Sequence, residues 1–125
     1  YAQGDGEIAG TAIEGAFNTT LVVGKCSADA AFDWPRIETD THIGALGSSR
    51  PSDDAARIAL HSLIHWVREL TGFSLADAHQ LTSQNCTLRV GNLVNPAFTV
   101  AAMLPKSVLG DVTIMDDLHQ KLSGR

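Results

Sequence analysis

No apolar stretch in this sequence approaches the ~20 residues a helix needs to cross a bilayer. The longest, Phe98 to Leu104, has the length of a buried strand, so no membrane partner is expected. Clustered positive charge is missing as well. Nine Lys and Arg are scattered against fourteen Asp and Glu, for a net charge of −5, and a chain without a basic patch makes a poor partner for a nucleic-acid backbone. Cysteine is scarce: Cys26 and Cys86 stand far apart, in neither a metal-finger nor a redox spacing. They read as buried free thiols of a reducing compartment, so a cytoplasmic location is expected. Internal repeats, low-complexity tracts and a visible secretory signal are all lacking. No Gly-x-Ser-x-Gly elbow is present, and Ser48 and Ser49 have no identifiable base, which argues against a serine nucleophile.

What is there suffices for one domain over 1–125. With 125 residues, 44% hydrophobic and 18% charged, the chain can bury a core and stands well away from disorder. From Glu7 to Cys26 the apolar and β-branched residues recur mostly by two, which predicts two strands joined near Gly15. Lys25 to Trp34 is less regular, Arg36 to Ile43 reads as another strand, and the Gly/Ser-rich stretch 42–52 as a loop bordering function. Ser52 is then expected to cap a helix with Ala56, Leu60, Leu63, Ile64, Val67 and Leu70 on its apolar face, ended by Gly72. Ser74 and Asp77 open a second helix running to about Ser83. Thr87–Leu93 and Phe98–Leu104, turned at Asn95-Pro96 and stopped at Pro105, predict a hairpin, and 116–122 a short helix. The fold class is α+β: a β-rich domain with a helix pair at about 52–83 packed against a mixed or antiparallel sheet.

Chemistry concentrates at the head of the chain. Gly4 and Gly6 flank Asp5, and Glu7 follows; the glycines allow a close backbone approach to a ligand. If the backbone is extended, Asp5 and Glu7 leave from the same face, and two carboxylates so placed call for a cation, a shared proton or a bound amine between them. Glu14, an odd number of positions from Glu7, would face the other way unless Gly10 forms a bulge, and is left outside the site.

Gln3-Gly4-Asp5-Gly6-Glu7 with Gly10-Thr11-Ala12-Ile13-Glu14 resembles the signature of the acetamidase/formamidase family, hydrolases of small amides. Trp34-Pro35-Arg36-Ile37-Glu38-Thr39, Asp53-Asp54-Ala55-Ala56, Thr71 to Ala78 and Leu88-Arg89-Val90 correspond to further family segments. The resemblance runs from Tyr1 to about Lys106. It departs in one respect: family members are usually more than twice as long, and a Gly-Asp-x-His element that normally precedes the position of Tyr1 is not present. With no initiator Met, Tyr1 is expected to be a processing point, an expression boundary or the start of a second subunit, and the chain to be the C-terminal portion of an amidase.

The resemblance implies that this loop lines an amide pocket together with upstream residues. The expected activity is hydrolysis of formamide- or acetamide-like substrates to carboxylate and ammonia. Glu7 is assigned proton transfer, Asp5 a divalent metal (Zn first, Mg or Ca otherwise), and Gln3 and Glu38 substrate binding. Glu38, on a half-buried strand, either pairs with a base such as Arg36 or Arg89 or points into the pocket. Expected partners are the amide, an N-terminal part of the same enzyme or a companion chain, and further copies in a homo-oligomer. A non-catalytic fragment or subunit that keeps the amidase fold is the rival reading. His61 and His65 have chelating i, i+4 spacing but lie off the apolar stripe, so they read as a solvated helix face. His42 could reach a pocket, whereas nothing promotes His79 or His119.

Overall fold

The computed structural model describes residues 2–24 and 33–124. Expectations attached to Tyr1, Cys26 and the irregular stretch 25–32 lie outside them. Within the described residues the body is a four-stranded antiparallel sheet in the order β1-β2-β4-β3. Its strands are β1 (Arg36–Glu38), β2 (His42–Ser49), β3 (Thr87–Asn92) and β4 (Phe98–Pro105). Helices α1 (Ser52–Thr71) and α2 (Leu75–Asn85) connect β2 to β3, and α3 (Leu118–Ser123) closes the chain. The α+β class and the helix pair on an antiparallel sheet are as expected. None of the helices is long and apolar enough to cross a membrane.

Helix α1 organises the packing. Ala55, Ala59, Leu63, Trp66 and Val67 are buried against the sheet, and Leu60, Ile64 and Leu70 flank them half-buried. The inward stripe is thus rotated slightly from the expected one, drawn round by the small Ala55 and Ala59. Gly72 ends the helix at φ 71°, its amide donating to the Arg68 carbonyl, a conformation glycine adopts without steric penalty. Ser74 caps α2 by accepting from the Asp77 amide and donating to the Asp77 carboxylate. At the other end of α1, Pro51 rather than Ser52 is the N-cap residue, and no side chain caps there.

The stretch 42–52 corrects the sequence reading. It was expected as a loop; its first eight residues form β2, a central strand. The glycines are present for contact rather than for freedom. A Cβ at Gly47 would overlap the Ala55 carbonyl and the Ala59 amide, so its absence lets α1 lie directly on the strand. Ile43, Ala45, Ala102 and Leu104 pair in register across β2 and β4 and supply the sheet's half of the core. Arg36 fastens β1 to α1 through Glu69 at 2.8 Å and lies 4.9 Å over the Trp66 ring, a cation–π distance. The alternate face of the sheet carries Ile37, Leu46, Ala101 and Met103, turned away from α1.

The second correction concerns the start of the chain. Strands were expected from Glu7 onward, but among the described residues up to Gly24 there is only one isolated antiparallel bridge, Ala2 with Ile13. A strand needs a neighbour, and the period of two finds none there. Ile13, Phe17, Leu21 and Val23 are 63%, 69%, 84% and 94% exposed.

Candidate functional site

The loop 2–13 is closed by its own backbone. Ala2 and Ile13 exchange both amide bonds, at 3.1 and 2.7 Å. Between them the chain turns twice in left-handed conformations: Gly6 at φ 80° with Glu7 at 47°, and Gly10 at φ 73°. The Glu7 amide donates to the Gly4 carbonyl, and the Gly10 amide to the Glu7 carbonyl. A glycine takes such angles freely, whereas a glutamate held there stores roughly 1–3 kcal/mol of strain, a burden that clusters at functional positions.

Two long-range bonds hang this loop on the outer edge of β3. The Leu93 amide donates to the Gly6 carbonyl at 2.8 Å, and the Gln3 Nε2 donates to the Gly91 carbonyl at 2.8 Å. Gly6 is buried, and a Cβ there would press on Ile8 and Leu93 at 3.3 Å. Sequence-distant backbone is therefore what fixes the loop, and Gln3, expected to bind substrate, has its amide nitrogen engaged in that anchoring.

The arrangement of acids differs from the expected pair. The backbone at Asp5–Glu7 is a 3-10 turn broken by Gly6 rather than extended, so the two side chains do not share a strand face. Asp5 is exposed and stands 3.9 Å from the equally exposed Arg89, a distance and setting worth little energetically. Glu7 instead lines an open hollow of about 320 Å³ with Ala2, Gln3, Ala12, Ile13 and Glu14. Glu14, set aside on strand parity, is thus brought to Glu7's side. The parity rule failed because the chain reverses at Gly10 and closes on itself; the signal available was that glycine, whose bulge would have changed the count. Gln3, Glu7 and Glu14 offer a hollow with one amide and two carboxylates, able to orient an uncharged polar molecule and to accept or return a proton.

Glu38 lies elsewhere. It sits on β1, at the opposite edge of the sheet from β3, three strand spacings or about 14 Å away. Its carboxylate, 8% exposed, receives the Lys106 ammonium at 2.7 Å. The expectation of a basic partner is met by Lys106, which neither proposed arginine supplies: Arg36 reaches Glu69 and Arg89 faces Asp5. The pair locks β1 to the end of β4, and the described residues do not bring Glu38 to the loop.

No group of three or more His, Cys, Asp or Glu among the described residues is arranged to hold a metal ion. Asp5 alone is one exposed oxygen donor set, so these residues do not by themselves fit a divalent cation. The His61 and His65 rings meet on α1 in a tilted arrangement with centroids 4.5 Å apart, His119 meets Asp40 at 2.8 Å, and His42 bonds the neighbouring Thr41 hydroxyl. Cys86 is half-buried and free. Burial pushes its thiol up from the ordinary value, with a backbone bond from Met103 partly opposing, which makes it a poor nucleophile near neutral pH.

The chain superposes on the acetamidase of Yersinia enterocolitica with a TM-score of 0.71 and 41% sequence identity, over 87% of its own length. The chain is acetamidase-like in sequence and fold. This acetamidase-like chain also matches an acetamidase from Bacillus halodurans, with a TM-score of 0.56 and 30% identity over 62% of its length. It spans 33% of the Yersinia protein and 27% of the Bacillus one. No protein-family model and no curated protein matches it. The resemblance carried by the loop and the Trp34 to Thr39 segment is thereby supported by structural similarity to parts of two acetamidases.

Proposed function

We propose that the acetamidase-like chain serves in hydrolysis of small non-peptide amides of the formamide or acetamide type, as the part that carries the glycine loop. The overall reaction takes one amide and one water to a carboxylate and an ammonium ion. In this reading Glu7 accepts a proton from the attacking water and returns it to the departing nitrogen, a role worth about 10²–10⁴-fold in rate for a well-placed group. Glu14 and the side-chain carbonyl oxygen of Gln3 orient the amide nitrogen. The observation that carries the proposal is the strained left-handed Glu7, held by two long-range backbone anchors at the rim of a polar hollow, within a fold similar to acetamidases.

A divalent metal would polarise the amide carbonyl and activate water. Asp5 is the residue here that could contribute a ligand, and the rest of such a centre would come from outside the described residues. The openness of the hollow and the 33% span of the Yersinia protein favour a site completed by an additional segment or companion chain. The test is ammonia release from formamide and acetamide by the chain alone, and by the chain mixed with the separately produced remainder of the Yersinia acetamidase. Turnover in the mixture supports the proposal. Its absence from a folded complex would favour the rival, a structural piece that keeps the amidase fold without its activity.

A further inference from the structure

Residues 13–23 carry a one-faced strand pattern that, beyond the Ala2–Ile13 bridge, no described residue pairs with. Ile13, Phe17, Leu21 and Val23 occupy odd positions with Gly15 and Thr19, while the even positions hold Glu14, Ala16, Asn18 and Thr20, with Val22 the one large apolar exception. Such alternation is what a strand with one buried face requires. Among the described residues the arm beyond Ile13 buries neither its side chains nor its backbone. The odd-position apolar residues are all exposed, and none of residues 14–24 makes a backbone hydrogen bond to another described residue. Amides and carbonyls that no described residue pairs, beside a mainly apolar face, are a template for strand addition. Scattered exposed apolar residues are ordinary on a protein surface, but large ones recurring at odd positions of a single segment match the pattern of a strand face that is buried elsewhere.

We infer that residues 13–23 dock as an added β-strand on a sheet edge supplied by the remainder of the amidase, with Ile13, Phe17, Leu21 and Val23 turned into its core. This rests on the reading that the chain works with the rest of an acetamidase-like enzyme, and it names the segment that joins them. The occupant follows from the comparison: this chain spans 33% of a protein to which it is 41% identical, so the larger part of that protein is available to cover a face this chain leaves open. The geometry also links assembly to the site. Ile13 closes the loop through Ala2 and lines the hollow beside Glu7, so fixing the strand beyond it fixes one wall of the hollow.

The experiment is amide hydrogen exchange on this chain, alone and mixed with the separately produced remainder of the Yersinia acetamidase, with binding measured in parallel. In the mixture, alternate amides in 13–23 should slow by about tenfold or more as the pairing forms. Phe17→Asp and Leu21→Asp should each weaken binding by about tenfold or more, the loss expected when a buried apolar side chain is given up. Asn18→Asp, on the opposite face, should bind as the parent does. All three sites are exposed, so the isolated variants should fold alike, read by circular dichroism. A complex that forms and releases ammonia while 13–23 keeps exchanging freely would overturn the strand inference and leave the shared-site reading standing. Slowing that appears in the chain alone and grows with its concentration would overturn it in favour of self-association. Absence of any complex would sink both.

Discussion

Strand β4 and the arm at 13–23 carry the same kind of sequence, apolar residues at alternate positions, and end in opposite environments. In β4, Val100, Ala102 and Leu104 face α1 from the centre of the sheet and are buried. In the arm, Phe17, Leu21 and Val23 face solvent. The difference lies in what the rest of the chain offers. A helix whose Ala55 and Ala59 permit close approach, over a strand whose Gly47 permits it too, gives β4 a partner layer. No comparable element stands beside the arm among the described residues. Alternation states how a segment would be buried; the partner decides whether it is.

The contrast can be broken most forcefully by mutating one side at a time. Leu63→Ala, in the fully buried seam of α1, should destabilise the chain by about 2–5 kcal/mol, whereas Leu21→Ala should leave denaturant stability within about 0.5 kcal/mol. Equal losses would mean that the arm packs on the body. Next in size is the Glu38–Lys106 lock. Lys106→Ala leaves a nearly buried carboxylate without its cation and should cost about 1–3 kcal/mol. A neutral result would show that the pair holds nothing.

The loop should respond with the opposite sign. Glu7→Gly relieves a left-handed glutamate and should raise stability by about 1 kcal/mol, a gain in the direction expected where function holds strain. Loss of stability would identify Glu7 as a structural turn residue. The smallest effect concerns Cys86, whose thiol burial pushes above its ordinary value. The unfolded chain therefore ionises first and binds fewer protons over that window, so stability should be intact below about pH 8.5 and decline as pH rises further. Cys86→Ser, titrated alongside, should lack that alkaline decline.

How legible each region was follows the same division. Helix α1, its glycine stop, the Ser74 cap and the β3–β4 hairpin could be read because every signal for them is local: period, cap and turn lie within a few residues. Gly44 and Gly47 read as loop residues because a glycine permits both a loose loop and a tight contact, and only distant partners select the second: Met103 and Ala102 of β4 at Gly44, and α1 at Gly47. Glu38's partner is 68 residues away, beyond what strand parity can name. In the loop, Gln3, Asp5 and Glu7 stand out from the sequence as candidates, but not the way the chain groups them. Left-handed turns at Gly6 and Gly10 replaced an extended strand, separating Asp5 from Glu7 and bringing Glu14 in.

The most direct test of the role given to Glu7 is ammonia release from acetamide by this chain mixed with the remainder of the Yersinia acetamidase, comparing the parent with Glu7→Gln. The substitution keeps size and polarity and removes the proton acceptor. The expected result is a fall in turnover of about 10²-fold or more with KM little changed and the complex intact. Turnover in the Gln variant equal to that of the parent would contradict it.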